Sequence, residues 1–303
     1  LCKEYYGINL AINCFKSTSM KNTNFIFIIL LVFSCKKDVY DKHSYTTLSA
    51  VQVSNAMLDS SQTMGRQFII SLPTGDFTYP VSKALLWLPK NYLTTKKKYP
   101  LIINLYGQGQ CGYNLHNLII GHTMSELIAE GFDPKAKNPV DGKNYQFMVF
   151  SPQCPARWGW SAPQIKVMLQ ILEDSFRVDK KRIYLTGFSS GGWGLWSCIT
   201  DDTTLCSKFA AISPMSSAPG DHPDQLTNVG KYGIACWNMC GDLDADYAVA
   251  VNYTDTINAH NPPIPAKLET LQGVRHVAWV YGYNPAWRSE GKNLYEWLIQ
   301  YHK

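Results

Sequence analysis

The stretch "LTGFSSGGWG", from Leu185 to Gly194, decides the fold because it joins an apolar run to a predicted helix through a glycine-rich turn. Two adjacent serines lie inside this turn, and the pattern G-x-S-x-G fits with Ser189 at its centre. The pattern does not fit Ser190, which would need a glycine where the chain has Phe188. Ser189 is therefore the candidate nucleophile, and the alternative is a glycine-rich connection without chemistry.

The flanks of this turn are those that a nucleophilic serine requires. Residues 182–187 ("RIYLTG") predict a strand, and a helix is predicted from about Gly191 to Thr200. Such a turn strains the serine backbone, and side chains two residues away would clash with the crossing strand and helix, which explains the glycines. The positive end of the helix dipole would favour an oxyanion near Ser189.

Apolar runs and amphipathic segments alternate along the rest of the chain. Further strands are predicted at 66–73, 83–89, 99–106, 145–154, 209–216, 232–241 and 267–273. Further helices are predicted at 118–132, 162–176, 246–260 and 293–302. This alternation predicts an α/β fold with a mostly parallel central sheet and helices on both faces. The polar segment between Ser216 and Tyr232 is too short for a large lid.

The pattern of the N-terminal region is typical of a targeting segment. Residues 20–34 combine one lysine with a short apolar run, and the ending "VFSC" at Cys35 resembles a bacterial lipobox. We expect a lipoprotein-type signal peptide over 20–34, with lipid on Cys35; an ordinary secretory signal is the alternative. Residues 1–19 are expected to be upstream sequence translated from a wrong start, and 36–62 a tether. The domain over 63–303 is then exported and lipid-anchored to a bacterial membrane, or secreted.

The composition is that of a folded domain. The 303-residue chain is 46% hydrophobic, only 17% charged, and carries a scattered formal net charge of +5. These values argue against a disordered or nucleic-acid-binding protein. We expect a monomer that touches the membrane only through its lipid.

Six of the nine cysteines follow Cys35. An exported protein can form disulfides, and no cysteine spacing here is typical of zinc. The two pairings to test are Cys198 with Cys206 and Cys111 with Cys154, and free buried thiols are the alternative.

A serine nucleophile needs a base and a group that orients the base. After Ser189 the chain offers Asp242 and Asp244 in "CGDLDADY" (240–247) and His276 in "GVRHVAW" (273–279). Both segments follow predicted strands. In parallel sheets, sites form at the carboxyl ends of the strands, so these side chains are candidates for one site.

Together these segments resemble the α/β-hydrolase superfamily. The matching stretches include "KKKYPLIINLYGQG" (96–109), "FSPQCP" (150–155) and "YLTGFSSGGWGLW" (184–196), and the resemblance covers residues 96–279. Within the superfamily, the chain is similar to exported esterases related to polyhydroxybutyrate depolymerases, feruloyl and acetyl-xylan esterases, and the group named predicted peptidases. The stretches are specific for the superfamily but not for a substrate.

The resemblance implies roles for four positions. Ser189 matches the nucleophile and His276 the general base. The family pattern H-G-x-x-D aligns the acid with Asp244, while Asp242 is the alternative acid and could instead cap the turn.

The resemblance also implies an oxyanion hole. Its donors are the backbone N–H groups of Gln108 and Ser190. Two departures from the family pattern, Tyr106 and Cys240, occupy positions where the family has histidine. Because backbone amides bind the oxyanion, these departures concern packing rather than chemistry.

The implied activity is that of a serine carboxylic-ester hydrolase with an acyl-enzyme intermediate and no metal or cofactor. Its substrates are expected to be ester-decorated glycans or small or aromatic esters, including polysaccharide-bound ones. A serine peptidase with the same triad and a non-catalytic surface-tethered binding module are the alternatives. Candidate substrate-lining residues are Trp158, Trp160, His116 and Trp279.

Overall fold

A nine-stranded sheet forms the centre of the domain. The computed structural model describes residues 63–303, which all lie in one compact unit. The strands are β1 (Thr63–Met64), β2 (Gln67–Ser71), β3 (Lys83–Trp87), β4 (Tyr99–Leu105), β5 (Lys135–Lys137), β6 (Asn144–Gln146), β7 (Met148–Pro152), β8 (Val178–Ser189), β9 (Ala211–Ser217), β10 (Ala235–Gly241) and β11 (Lys267–Leu271). The main sheet has the order β1-β2-β3-β7-β4-β8-β9-β10-β11, and β5 pairs with β6 separately.

The strands from β7 to β11 in that order are parallel neighbours, whereas β1, β2 and β3 form an antiparallel edge. After β4 the chain crosses to β7 on one side, and after β8 it crosses to β9 on the other. A crevice opens outside the carboxyl ends of strands at such a change of direction. Leu105 of β4 pairs with Gly187 of β8, so the loops after these two strands leave the sheet side by side.

Helices cover both faces of the sheet, as predicted. They are α1 (Met124–Ala129), α2 (Ala162–Ser175), α3 (Ser190–Thr200), α4 (Thr203–Cys206), α5 (Asn228–Lys231), α6 (Tyr247–Ala259), α7 (Ala278–Gly282) and α8 (Leu294–Leu298). Side chains of a strand alternate between faces. Accordingly Leu101 and Ile103 of β4 pack in one buried cluster with α2, α3 and α6, while Ile102 packs in a second cluster with α1, α7 and α8.

The helix predicted over 118–132 is divided in the structure. A 3-10 turn at Leu115–Ile119 precedes it, and the α-helix itself is only α1. Gly121 and His122 separate the two with φ angles of 87° and 59°, in the left-handed region that ends a helix. The side chain of Thr123 then caps α1 by accepting a hydrogen bond from the first turn.

The connection between β9 and β10, residues 218–234, contains only a 3-10 turn at Pro223–Thr227 and the four-residue helix α5. This agrees with the predicted lack of a large lid. No helix within residues 63–303 has the length and apolar character needed to cross a membrane. The predicted signal peptide, the lipidated Cys35 and the tether lie outside the described residues and stay predictions.

All six cysteines of the described domain are free, so neither of the two suggested disulfides is present. The Sγ atom of Cys206 donates to the carbonyl oxygen of Ile199 at 3.0 Å instead of bonding to Cys198. Burial raises the pKa of Cys236 and of Cys240 to about 12. Because a thiol with such a pKa stays protonated at neutral pH, these two residues are not thiolate nucleophiles.

Candidate active site

Ser189 lies at a strained turn between β8 and α3. Its φ of 53° and ψ of −125° are unusual for a residue with a side chain. A Cβ atom on Gly187 would lie 2.4 Å from the carbonyl oxygen of Gly191, and one on Gly191 would lie 2.2 Å from that of Leu105. Only glycine fits at either position, and the turn holds the Ser189 hydroxyl at the carboxyl edge of the sheet.

A continuous chain of hydrogen bonds links Ser189 to His276 and Asp244. Nε2 of His276 lies 2.9 Å from Oγ of Ser189. Nδ1 of the same ring lies 2.9 and 3.0 Å from the two carboxylate oxygens of the buried Asp244. Since Nδ1 faces a carboxylate, it carries the proton, and Nε2 is left to accept the serine hydroxyl. The structure thus brings together all three residues that the sequence nominated from distant segments.

The two partners of this pair shift each other's pKa. The hydrogen bond to Asp244 raises the pKa of His276 above its ordinary 6.5, although burial opposes this. For Asp244, burial would raise the pKa, but hydrogen bonds from His276, Ser216 and the backbone of Asp246 outweigh it and lower the pKa to about 2. Asp244 is therefore ionised wherever His276 titrates.

The neighbouring aspartates have different positions. Asp242, the alternative acid, accepts a hydrogen bond from the backbone N–H of Gly273 at 2.7 Å and so caps the turn. Oδ2 of Asp246 lies 3.9 Å from Nδ1 of His276, beyond hydrogen-bond distance. Within residues 63–303, one group of three side chains could hold a metal ion, namely Asp244, Asp246 and His276. Because Nδ1 of His276 is already bonded to Asp244, a metal there would have to break that bond.

Ser216 anchors the segment that carries His276, and the sequence analysis missed it. This buried residue has a φ of 42°, and its Oγ accepts a hydrogen bond at 3.1 Å from the backbone N–H of Ala278. The contact ties the start of α7, two residues after His276, to the end of β9. No motif around Ser216 or Asp246 indicates these roles, since each follows from long-range packing.

The two predicted oxyanion donors begin neighbouring helices. Gln108 is the first residue of a 3-10 turn, and Ser190 is the first residue of α3. The first N–H groups of a helix have no partner within it. A Cβ atom on Gly107 would lie 3.1 Å from Cβ of Ser189, so the loop carrying Gln108 packs directly against the nucleophile turn.

The two departures from the family pattern are packing residues. Tyr106 is buried, and its hydroxyl donates to Oγ of Ser125 at 2.7 Å and lies 3.0 Å from Oγ of Ser151. Cys240 is fully buried at the end of β10. Both departures are therefore buried positions.

Two of the four predicted substrate-lining residues keep accessible surface: Trp279 is half-buried and Trp158 is exposed. The ring of Trp279 stacks on Phe188, with 4.4 Å between centroids, and meets His276 edge-on at 5.9 Å. Trp158 is 45% exposed and stands edge-on to Trp193 at 5.6 Å.

The other two residues are placed differently. Trp160 is only 2% exposed, and its Nε1 donates to the carbonyl oxygen of Tyr106 at 3.1 Å. Trp160 is thus mostly packed in the core, and its role as a substrate-lining residue stays a prediction. His116 is exposed on the 3-10 turn after the Gly107 loop, and none of its described hydrogen bonds reaches Ser189 or His276.

No protein-family model matches this sequence, and no curated protein matches it either. Solved structures do match. A thermostable esterase is similar at 20% identity with a TM-score of 0.54; the match covers 78% of this chain but 64% of that one, less than two thirds of its length. An S-formylglutathione hydrolase from Staphylococcus aureus is similar at 16% identity and a TM-score of 0.53, over 77% of this chain and 95% of that one.

A mutant of the feruloyl esterase module from Clostridium thermocellum, complexed with sinapinate, is similar at 13% identity with a TM-score of 0.52, over 74% of this chain and 88% of that one. At identities this low the likeness concerns the fold. The sheet order, the parallel centre of the sheet and the helices on both faces agree with this likeness of fold. The chain therefore has the α/β-hydrolase fold, as its sequence predicted.

Proposed function

We propose that the protein is a serine carboxylic-ester hydrolase. The observation that carries this proposal is the unbroken hydrogen-bond chain from Ser189 through His276 to the buried Asp244. These three side chains lie at the carboxyl edge of the sheet, and helical segments begin beside them at Gln108 and Ser190. We propose that the N–H groups of these two residues bind the oxyanion. This is the arrangement that acyl transfer to a serine requires.

The mechanism has two halves. Nε2 of His276 takes the hydroxyl proton of Ser189 while Oγ attacks the ester carbonyl, and the N–H groups of Gln108 and Ser190 stabilise the oxyanion. His276 then returns the proton to the departing alcohol, which leaves an acyl-enzyme. His276 then takes a proton from water, which attacks the acyl carbon. His276 passes this proton to Oγ of Ser189 as the acid is released, so the free serine is restored. Asp244 holds the Nδ1–H tautomer and stabilises the imidazolium formed in each half.

We further propose that the esters are carried on glycans or are small or aromatic esters. The short connection between β9 and β10 supports this, because this segment forms no large lid of its own. The exposed ring of Trp158 supports it as well, since an aromatic face can pack against a sugar ring or an aromatic acyl group.

The proposed function is tested by hydrolysis and by covalent labelling. The purified protein should hydrolyse 4-nitrophenyl acetate and react with a fluorophosphonate, which modifies activated serines. Mass spectrometry of the labelled protein should place the modification on Ser189. Labelling at another residue, or absence of both hydrolysis and labelling, would contradict the proposal.

The pH profile should report the pKa of His276. Below this pKa the ring is protonated and cannot accept the Ser189 proton, so kcat/KM should rise with pH. The ionisation should lie above 6.5, since Asp244 raises the pKa of His276. Asp246→Asn should move the midpoint to lower pH, because the charge of Asp246 also raises that pKa. The measurement is kcat/KM for 4-nitrophenyl acetate from pH 5 to 9; a midpoint shifted upward in Asp246→Asn would count against this assignment.

A further inference from the structure

A cavity of about 330 Å³ lies between two loops at the carboxyl edge of the sheet. One loop, 72–82, follows β2, and the other, 153–161, follows β7. The two strands point the same way because both are antiparallel to β3. The lining residues include Asp76, Thr78, Tyr79, Trp158, Gly159 and Ser161. Its volume is at the lower end of the roughly 300–1,000 Å³ of ligand pockets.

The two loops are held together in a fixed arrangement. A Cβ atom on Gly159 would lie 2.8 Å from Cβ of Tyr79 and 2.7 Å from Sγ of Cys154, so the loops touch where the chain has no side chain. The side chain of Gln164, in α2, donates to the carbonyl oxygen of Tyr79 at 3.0 Å. A cavity fixed in this way does not have to order its walls when a ligand binds, which favours affinity.

Two of the cavity's aromatic rings are unusually exposed. Tyr79 and Trp158 keep 47% and 45% of their surface accessible. Exposed aromatic surface that borders a concave site is typical of ligand binding rather than of folding. Trp158 also contacts Trp193, which lies in α3, the helix that starts beside Ser189. The cavity is thus connected to the nucleophile turn through packed side chains.

Polar groups accompany the aromatic rings. The lining includes three residues with polar side chains, Asp76, Thr78 and Ser161. Ser161 occupies the N-cap position of α2, yet its side chain makes no capping hydrogen bond, so its hydroxyl is available to a ligand. A sugar ring matches this mixture, because its C–H face packs on aromatic rings while its hydroxyls bond to oxygens at the edge. Asp76 is the one charged residue of the lining, and its charge favours a neutral sugar over an anionic one. The guanidinium of Arg157, outside the lining, lies 4.5 Å over the ring of Trp158, so a sugar would pack on the other face of that ring.

The position of the cavity decides which part of a substrate it holds. None of its lining residues is Ser189, Asp244 or His276. In an ester-bearing glycan the sugar supplies the hydroxyl that is esterified, so a sugar ring bound in this cavity belongs to the alcohol part of the ester. We propose that this cavity binds a neutral sugar ring in the alcohol part of an ester-bearing glycan. The ester part of this inference rests on the proposed function, whereas the sugar part rests on the cavity.

The kinetic test compares two substrates. Trp158→Ala should lower kcat/KM for acetylated xylo-oligosaccharides about tenfold or more, because a remote contact contributes binding energy to the transition state. The loss of the same variant on ethyl acetate, followed by alkali titration, should be clearly smaller, because the alcohol part of ethyl acetate has neither a sugar nor an aromatic ring to place in the cavity. Tyr79→Ala should give the same selective loss and serves as the second variant if Trp158→Ala does not fold. Equal losses on both substrates, or no loss on either, would overturn the proposal.

Leu93→Ala is the matched control. Leu93 is 73% exposed and precedes β4, at the opposite edge of the sheet from the cavity. The variant Leu93→Ala should leave kcat/KM unchanged for both substrates. Leu93 shares with Trp158 only a large, exposed apolar side chain. A selective loss in Leu93→Ala would show that the effect is not specific to the cavity.

A binding test separates the sugar site from the esterase activity. Ser189→Ala, which cannot form an acyl-enzyme, should bind at least one of xylo-, cello- or manno-oligosaccharides by calorimetry, and Ser189→Ala combined with Trp158→Ala should lose at least tenfold in affinity. Binding of none of the three, or binding of ferulate alone, would overturn the assignment. If wild type does not hydrolyse 4-nitrophenyl acetate, the proposed function fails while this binding result still decides the sugar site.

Discussion

Replacement of Ser189 by alanine is expected to lower kcat/KM for 4-nitrophenyl acetate by about 10⁴-fold or more, because no acyl-enzyme can form without its Oγ. His276 and the oxyanion donors would remain, so a small rate above the buffer blank is expected from direct attack of water. The same variant should fail to react with a fluorophosphonate. The measurement is steady-state hydrolysis corrected for the spontaneous rate, with circular dichroism to verify the fold.

Ser190→Ala is the matched control, since the two serines are adjacent in the same turn. The Oγ of Ser190 is buried and has no hydrogen-bond partner among the described residues. The proposed contribution of Ser190 comes from its backbone N–H, which alanine keeps. The kcat/KM for 4-nitrophenyl acetate should therefore fall by no more than about tenfold. A loss in Ser190→Ala as large as that in Ser189→Ala would contradict the assignment of the nucleophile.

The fold could be predicted where local sequence patterns determine the type of element. The pattern around Ser189 predicted a strand, a turn and a helix, and the structure has β8 ending at Ser189 and α3 beginning at Ser190. Strand and helix types elsewhere follow from apolar periodicity, which needs no knowledge of neighbours. The helix expected over 118–132 was too long, because two residues in the left-handed region interrupt a pattern that is otherwise helical.

For the site, the sequence predicted the residue types and their roles but not how the side chains pack. The residue types and their order along the chain predicted Ser189, Asp244 and His276 as the site, but Asp242 remained an alternative acid. The choice depends on which carboxylate faces Nδ1 of His276, a fact of tertiary packing. The role of Ser216 and the burial of Trp160 could not be predicted for the same reason, because no local sequence pattern indicates either of them.

Asp244→Asn should lower kcat/KM for 4-nitrophenyl acetate by about 10³–10⁴-fold near pH 7. The amide cannot fix the Nδ1–H tautomer or stabilise the imidazolium with a full charge, so the transition state loses its main counter-charge. The pKa of His276 should also fall, since its hydrogen bond to Asp244 is the largest cause of its elevation. The measurement is kcat/KM as a function of pH, which separates a shifted ionisation from a lower plateau.

The neighbouring aspartates supply controls of the same size and charge. Asp242→Asn should lose far less activity, because that carboxylate bonds to the backbone of Gly273 rather than to His276. Asp246 lies only 3.9 Å from Nδ1 of His276, so it should supply part of the missing charge in Asp244→Asn. The double change of Asp244 and Asp246 to asparagine should therefore be less active than Asp244→Asn alone. If Asp242→Asn were instead the most damaged single variant, the acid would be Asp242 and the hydrogen-bond chain described above would not be the working one.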